Sequence, residues 1–385
     1  MDVEKPFMEG DNLMNVPFLR PPFGDEEINA ATQIMRTSAL SSGPARNLFE
    51  DKFRKYIGVP SAVAVCNGTV ALDLIWQVYL RNGGLRKGDK VLCPSFTFVA
   101  AANSIVNAGL EPVFCDISRD TWNIDVTSLP DELPKIKAIL AVHTFGCPAS
   151  MELIRAFALR RQRDEMIIVE DCAEACGARI GNQMVGSFGD AAAFSFNTTK
   201  NMTTGEGGMV VFKDIYEAKF AGVLKEHGFN LPTRNAIVPG YNYRLSNLQA
   251  AIGLEQLKTL EERNSKRQEN SKYLTERLAD LKVGIEFQQE WDNGSHVHQV
   301  YGFLVPHWID RDKILKYLID NGVEAKNYFW PTIHCHQAYF GKYGRGRMNT
   351  TDNISSRVIC LPFDDKLSIE EMDYMIGAVG DVIKK

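Results

Sequence analysis

Short apolar runs alternate with helical stretches through the first half of the chain, and this alternation restricts the possible folds more than any other feature. The runs are apolar or rich in β-branched residues and cover residues 61–65, 90–93, 112–116, 138–143 and 166–169. Strands that alternate with helices are typical of βαβ units, in which helices cover both faces of a buried parallel sheet. The pattern therefore predicts an α/β fold.

The helical spacing of apolar residues predicts the elements that precede and separate these strands. The predicted helices cover residues 26–38, 46–57, 69–81, 98–108 and 150–161. Two further strands, at residues 191–196 and 207–212, flank a polar loop and are close enough in sequence to pair with each other. We therefore expect a mostly parallel sheet of about seven strands.

A long amphipathic helix is predicted from Ser246 onward, with a polar cap at Ser246 or Asn247. Beyond it, two strands and two helices indicate a smaller α+β domain. These elements cover residues 297–305, 310–321, 357–361 and 369–383. A chain of 385 residues exceeds the size at which one hydrophobic core keeps growing. We therefore assign residues 1–250 to a large domain with an N-terminal arm and residues 251–385 to a small domain.

Composition and charge argue against several classes of function. The net charge is -5 and the basic residues are scattered, so we expect no nucleic acid binding. Residues 1–20 are acidic and contain no apolar stretch long enough for a secretory signal or a membrane helix, so we expect a cytoplasmic protein without a membrane partner.

Cysteine and histidine spacing gives no complete metal site. Most of the eight cysteines lie in apolar runs, as buried reduced thiols do. Cys172 and Cys176 form a CxxxC without a second pair at ligand spacing, and His334 and His336 lack an obvious third ligand. We therefore expect structural cysteines and no metal.

The segment 66–69 closes a predicted strand and opens a predicted helix. Free backbone N–H groups at Gly68 and Thr69, the positive end of the helix dipole and the Thr69 hydroxyl would together form a phosphate cradle. Gly-Thr before a helix is, however, more often only a tight turn and a helix cap. This motif alone does not decide between the two interpretations.

Carboxylates end the strand that precedes residue 172. In open α/β sheets, ligands bind at the carboxyl ends of the strands, so Asp171 is placed to meet one, with Glu174 about one turn further along. Asp171 could instead cap the following turn. Both interpretations remain open at this point.

A lysine follows the next predicted strand, which delivers Ser195 and then Lys200 into a loop of small and polar residues. An amine that is partly desolvated in such a loop can react with an aldehyde, although a lone lysine is usually only a solvated charge. Together the three motifs offer an amine, a carboxylate and a phosphate cradle. These are the groups that a pyridine ring with an aldehyde and a phosphate requires.

The order of these motifs resembles the DegT/DnrJ/StrS nucleotide-sugar aminotransferases, a family of fold type I pyridoxal-phosphate (PLP) enzymes. The resemblance covers at least residues 16–260, with a weaker similarity at residues 361–362. It implies a large PLP-dependent transferase domain with a mostly parallel sheet, followed by a smaller α+β domain. The matching segments are residues 16–18, 41–44, 67–69, 94–98, 170–171, 195, 200, 205–208 and 240–244.

The resemblance implies roles for four residues around the cofactor ring. Lys200 would hold PLP covalently and afterwards move the proton during amino transfer. Asp171 would pair with the protonated ring nitrogen, and Glu174, in place of the more common His or Gln, would lie near the ring hydroxyl. Phe98 matches the aromatic residue that stacks on the ring face.

The resemblance also implies how the phosphate is held. Gly68, Thr69 and Ser195 would bind it from one subunit, and Asn242 would reach it from the other. The expected assembly is therefore a homodimer with shared active sites.

The implied reaction transfers an amino group from an amino acid, expected to be L-glutamate, to a keto sugar for lipopolysaccharide, O-antigen or related glycan biosynthesis. Residues 241–245 resemble relatives that aminate carbon 4 of a nucleotide-linked keto-deoxy sugar more than those that aminate carbon 3. Amination at carbon 3 or of a free sugar acid remains an alternative. So do a non-catalytic PLP-binding regulator and a PLP-dependent dehydratase, although in relatives that are dehydratases the lysine is replaced by His.

Residues 327–336 resemble the substrate loop of the family. Their aromatic side chains could line a sugar or base subsite, or they could be core packing.

Overall fold

A seven-stranded sheet forms the larger half of the protein, of which a computed structural model describes residues 14–20, 23–130, 133–162, 166–230, 233–343 and 348–384. The confirmed strand predictions correspond to β1 Ser61–Val65, β2 Lys90–Pro94, β3 Glu111–Cys115, β4 Ile136–Val142, β5 Ile167–Asp171, β6 Ala191–Ser195 and β7 Gly208–Phe212.

The strand order is β1-β7-β6-β5-β4-β2-β3. Only β7 runs against its neighbours, and it pairs with β6 from Ala191 opposite Phe212 to Ser195 opposite Gly208. The other six strands run in one direction. Their carboxyl ends therefore share one edge of the sheet, which is where an α/β fold binds its ligands.

Helices cover the sheet as predicted, with small shifts at their ends. They are α1 Asp25–Met35, α2 Pro44–Ile57, α3 Gly68–Asn82, α4 Ala100–Asn107, α5 Met151–Gln162 and α6 Ile215–Lys225. The prediction that a helix starts at Phe98 is wrong. The i to i+4 bonding of α4 begins with the Asn103 N–H to the Val99 carbonyl, so Phe98 precedes the helix.

The long helix α7, Asn247–Ala279, joins the two parts of the protein. The predicted cap at Ser246 is confirmed, because its hydroxyl accepts the Gln249 N–H at 3.2 Å while the Gln249 side chain accepts the Ser246 N–H at 3.3 Å. At 33 residues α7 spans about 50 Å. Its first half packs on α1 and α2, and Leu274 and Leu278 near its end join the core of the smaller part.

The smaller part is built on an antiparallel pair, β8 Tyr301–Leu304 and β9 Val358–Leu361. Its helices are α8 Arg311–Asp320, α9 Asn349–Arg357 and α10 Ile369–Lys384. The remaining strands have two residues each and are Arg179–Ile180, Gln183–Met184, Phe229–Asn230, Asn235–Ala236, Glu286–Phe287 and Gly294–Ser295. Two 3-10 turns complete the described elements, at Thr144–Gly146 and Ile333–Cys335.

The prediction of a strand over residues 297–305 is wrong in its first half. The Val297 and Gln299 N–H groups donate to the carbonyls of Gly146 and Phe145, which follow β4. These bonds hold residues 297–300 against the large sheet and leave only Tyr301–Leu304 to pair with β9.

Packing also links the chain beyond residue 250 to the large sheet. Ile333, Tyr339 and Met348 are buried in the same core as β1 to β6. Among the described helices, none is long and apolar enough to cross a bilayer.

Candidate active site

Lys200 and Glu174 form a close pair of opposite charges at the carboxyl edge of the sheet. The Lys200 Nζ donates to the Glu174 Oε1 at 3.4 Å, and the two side chains are only 17% and 12% exposed. The other Glu174 oxygen, Oε2, accepts the Phe145 N–H at 2.8 Å. The predicted amine therefore lies in a largely desolvated position, with a carboxylate held against it by the main chain.

Phe145 was not identified from the sequence, although it orients Glu174. It is fully buried and has a left-handed backbone with φ of +59° in the turn that follows β4. The rings of Phe96, Trp122 and Phe329 surround it at 5.6–5.9 Å between centroids. A packed aromatic cluster thus fixes the N–H that Glu174 accepts.

Asp171 ends β5 and is 7% exposed. Burial, and to a smaller extent the nearby Glu174, raise the pKa of its carboxyl to about 6, while the Ala173 N–H and Lys200 oppose the rise. Its Oδ1 accepts the Ala173 N–H at 3.0 Å, so the turn-capping interpretation holds for one oxygen. Among the described residues, the other oxygen has no hydrogen-bond partner. An unpaired oxygen of this largely buried residue is thus available to a cationic ring nitrogen.

Glu170 lies beside Asp171 on β5 but has a structural role. Its fully buried carboxylate accepts three backbone N–H groups, from Gly186, Phe188 and Gly189. It also accepts the His143 Nε2 at 3.0 Å, and the His143 Nδ1 accepts the Ala149 N–H at 2.9 Å, which places the imidazole proton on Nε2. These bonds fix the end of β5 on which Asp171 stands.

The start of α3 brings together Gly68 and Ser195, two of the residues predicted to hold a phosphate. Asn67 is the cap of this helix, because its side chain accepts the Val70 N–H at 2.8 Å. Thr69 is exposed, and its hydroxyl makes no hydrogen bond to the described residues. Gly68 faces Ser195 so closely that a Cβ on it would lie 2.8 Å from the Ser195 Cβ. Gly68 at the helix start and Ser195 therefore lie side by side, with the exposed Thr69 next in the chain, an arrangement that fits a phosphate.

We expect Gly68→Ala to close this cradle, because the new methyl group would push β6 and α3 apart. Overpacking of this kind costs about 1–3 kcal/mol of unfolding free energy. We also expect the dissociation constant of PLP, measured by absorbance titration, to rise by about tenfold or more, which corresponds to about 1.4 kcal/mol. Gly222→Ala is the matched control, because a Cβ at this position in α6 meets nothing within 4 Å. It should leave PLP binding unchanged and stabilise the helix. Equal PLP affinity in the two variants would contradict the assigned cradle.

The remaining predicted site residues lie near this edge but project outward. Phe98 follows β2 and is 60% exposed, so its ring is accessible to a stacking partner. Asn242 is exposed, and its Oδ1 accepts the Arg244 Nε at 3.0 Å. Its neighbour Tyr243 accepts the Cys66 N–H, which places this segment beside the end of β1. In the described chain, the Asn242 side chain makes no hydrogen bond to the cradle residues.

The aromatic residues of the loop 327–336 differ in their surroundings, so each of the two alternatives applies to one of them. Phe329 is core packing, with its ring 5.6 Å from those of Phe96 and Phe145. Trp330 is 50% exposed, and the Arg311 guanidinium lies 5.6 Å from its ring. One aromatic therefore supports the site and another offers an open apolar face.

The two histidines of this loop have separate partners. The His334 Nδ1 lies 2.7 Å from the Ser95 Oγ and its Nε2 lies 3.1 Å from Asp352. The His336 Nε2 lies 3.1 Å from the Pro331 carbonyl instead. Cys172 and Cys176 are buried free thiols.

Comparison with known proteins agrees with this geometry. The sequence profile of the DegT/DnrJ/EryC1/StrS aminotransferase family matches residues 22–380. The chain belongs to this family. The family expected from the sequence, and the α/β architecture with a mostly parallel seven-stranded sheet, are thereby confirmed.

Several proteins are similar to this chain over nearly its whole length. The spore coat polysaccharide biosynthesis protein SpsC of Bacillus subtilis is 33% identical, with 96% of this chain and 97% of the relative covered. GDP-perosamine synthase of Escherichia coli O157:H7 is 32% identical, with 95% and 98% covered. The crystal structure of S. venezuelae DesV, in complex with a ketimine intermediate, matches with a TM-score of 0.88 at 28% identity and covers 96% of this chain and 99% of DesV. A matching structure of the same fold, at 24% identity, contains hydrated PLP. The chain is therefore an enzyme of a sugar aminotransferase family.

Proposed function

We propose that this protein uses PLP to transfer an amino group from L-glutamate to a keto sugar. The observation that carries the proposal is the Lys200 amine, held 3.4 Å from Glu174 at the sheet edge that also bears Asp171 and the Gly68 cradle. PLP, when bound, supplies an electron sink for the charge that develops at the carbon bearing the transferred nitrogen.

Each residue has a task that its surroundings support. Lys200 attaches the cofactor and moves the proton, and Glu174 orients its amine. Asp171 presents its buried carboxylate to the ring nitrogen and so keeps a proton there. Phe98 covers one ring face and excludes water from it.

The acceptor that we propose is carbon 4 of a nucleotide-linked keto-deoxy sugar, used for lipopolysaccharide, O-antigen or related glycan biosynthesis. The similarity to GDP-perosamine synthase at 32% identity supports a nucleotide-linked acceptor. Residues 241–245 carry the preference for carbon 4 by their resemblance to relatives that aminate this position. The exposed face of Trp330 offers an apolar surface for a sugar or base.

We propose a homodimer in which the partner subunit's Asn242 completes each phosphate site. Asn242 is exposed and makes no hydrogen bond to the cradle of its own chain among the described residues, so its amide is available to another subunit. A two-fold interface places the same patch on both chains, so both sites would be completed together.

The test begins with glutamate and the PLP-loaded protein. An aminotransferase should release 2-oxoglutarate while its lysine-bound PLP absorbance declines, and a non-catalytic binding protein should release none. A panel of nucleotide-linked and free keto sugars is then offered to the aminated form, and the product is analysed by NMR. A new C–N bond at carbon 4 supports the proposal. A bond at carbon 3, or turnover of free sugar acids alone, would assign a different acceptor, and loss of a hydroxyl without a new C–N bond would indicate a dehydratase.

A further inference from the structure

A cavity of about 60 Å³ lies between the Lys200 loop, the N-terminal arm, α7 and the segment after β9. Its walls include Lys200, Gln299 and three arginines, Arg20, Arg263 and Arg267, together with Lys366 and two aspartates, Asp364 and Asp365. We propose that this cavity binds the carboxylate of the amino donor and that Arg267 is the residue that binds it. The inference rests on the proposed function, because it assigns the donor site of that reaction.

Arg267 is a buried guanidinium without a carboxylate partner. Its residue is 6% exposed, and its NH1 group donates to the carbonyls of His298 at 3.1 Å and Phe363 at 3.2 Å. Its Nε is buried and has no hydrogen-bond partner. Burial lowers the pKa of Arg267, and the nearby Asp365 and Asp364, which form no ion pair with it, oppose that fall. Burial of an unpaired charge is costly, so such a group is usually matched by a ligand or an ion partner.

The two other arginines of the cavity already have acidic partners. Arg20 lies 2.5 Å from Glu371 and 3.6 Å from Asp364, and Arg263 lies 3.7 Å from Glu27. Their charges are therefore compensated within the chain. Arg267 is the cavity arginine, among the described residues, that an incoming anion would neutralise.

Gln299 contributes a complementary group to the same wall. Its Nε2 donates to the Thr199 carbonyl at 2.8 Å, next to Lys200, while its buried Oε1 has no partner. The Arg267 Nε therefore has no acceptor and the Gln299 Oε1 no donor among the described residues, although Asp364 and Asp365 also line the cavity. An α-amino acid supplies both, because it carries a carboxylate and an amine.

Cavity size distinguishes a carboxylate from the other anion of the reaction. A volume of 60 Å³ holds a few water-sized groups, each of which needs at least about 10–15 Å³. Larger ligands occupy pockets of about 300–1,000 Å³, so this volume suits a single carboxylate better than a nucleotide diphosphate. The geometry favours one carboxylate beside Lys200.

The test uses glutarate, a dicarboxylate that cannot be transaminated, and the PLP-loaded protein. We expect Arg267→Met to raise the dissociation constant of glutarate, measured by calorimetry, and the KM for glutamate by at least about tenfold, since a charge-assisted hydrogen bond is lost. The KM for the keto sugar should change by less than about twofold. Arg263→Met is the matched control, because this arginine is already paired, and it should bind glutarate like the parent.

Arg267 also bonds two main-chain carbonyls, so Arg267→Lys provides a second variant that keeps the charge. It should fold and bind glutarate at least about threefold more weakly than the parent, because it loses the planar fork. Unchanged glutarate binding in a folded variant that still converts glutamate would overturn the inference and leave the proposed function intact. Binding of inorganic pyrophosphate in place of glutarate, with loss in Arg267→Met, would also overturn it. Absence of 2-oxoglutarate production by the parent enzyme would reject the proposed function itself.

Discussion

Lys200→Ala should lose both covalent PLP binding and amino transfer. The absorbance of lysine-bound PLP at about 410–430 nm should disappear, because no other amine replaces the nucleophile. Lys225 cannot replace it, because its buried Nζ donates to Glu50 at 2.6 Å and to the Ala64 carbonyl at 3.1 Å. Lys213→Ala, a change just after β7, is the control and should retain both signals. Full activity in Lys200→Ala would place the catalytic lysine elsewhere.

The same variant tests the shared site of the proposed dimer. Lys200→Ala and Asn242→Asp chains, each inactive alone, should recover part of the activity when their subunits exchange. Some mixed dimers would carry both defects in one site and none in the other. Exchange without recovery would place Asn242 in the site of its own chain, and an active monomer would remove the premise.

Asp171→Asn should bind PLP covalently but lose most of its rate. A neutral amide does not hold a proton on the ring nitrogen, so the charge formed on proton removal is poorly stabilised. Loss of a charge-assisted hydrogen bond of about 1.5–3 kcal/mol corresponds to at least about a tenfold lower rate. Single-turnover kinetics with glutamate measures this loss directly. Parental rates in Asp171→Asn would leave this residue with its turn-capping role alone.

The same substitution should stabilise the cofactor-free protein, and the sign follows from the raised pKa of Asp171. In the folded chain the carboxyl still holds a proton at pH values where the unfolded chain has lost it, so stability falls as the pH rises between about 4 and 6. The rise in pKa from 3.8 to about 6 corresponds to about 3 kcal/mol of unfolding free energy. The protein has this stability at low pH and has lost it above pH 6.

Asn carries no charge and avoids this loss while it still accepts the Ala173 N–H. We therefore expect Asp171→Asn to unfold at a higher temperature than the parent at pH 7.5 and to lose this advantage near pH 4. Thermal unfolding at both pH values measures the effect, and Asp292→Asn, at an exposed position, serves as the control. Equal unfolding temperatures at pH 7.5 would contradict a buried, destabilising carboxylate.

The sequence predicts those features of the site that depend on strand ends. Asp171 and Ser195 end buried strands, and parallel pairing brings such ends to one edge whatever the loops do. Lys200 lies on the loop that the paired strands β6 and β7 enclose. These features follow from short apolar runs that are bounded by polar residues and from the direction of the strands.

Contacts between distant parts of the chain could not be predicted in this way. The start of helix α9 is capped by a distant residue and not by its own N-cap side chain. Asp116, after β3, accepts the Thr350 and Thr351 N–H groups at 3.0 and 2.7 Å. Arg267 looks like an ordinary charged residue of a long helix, and only the fold buries it. The N–H of Phe145 carries no sequence signal, because any residue but proline would offer one.

Gln299 connects two segments of the active site. Its side chain donates to the Thr199 carbonyl and its backbone N–H to the Phe145 carbonyl, both at 2.8 Å. One residue, shortly before β8, is thus hydrogen-bonded both to the loop of Lys200 and to the turn that holds Glu174. Gln299 therefore couples the segment that carries the amine to the segment that holds the carboxylate. Side chains elsewhere in the pocket walls make neither of these bonds, so they can differ for another sugar while the reacting pair keeps its spacing.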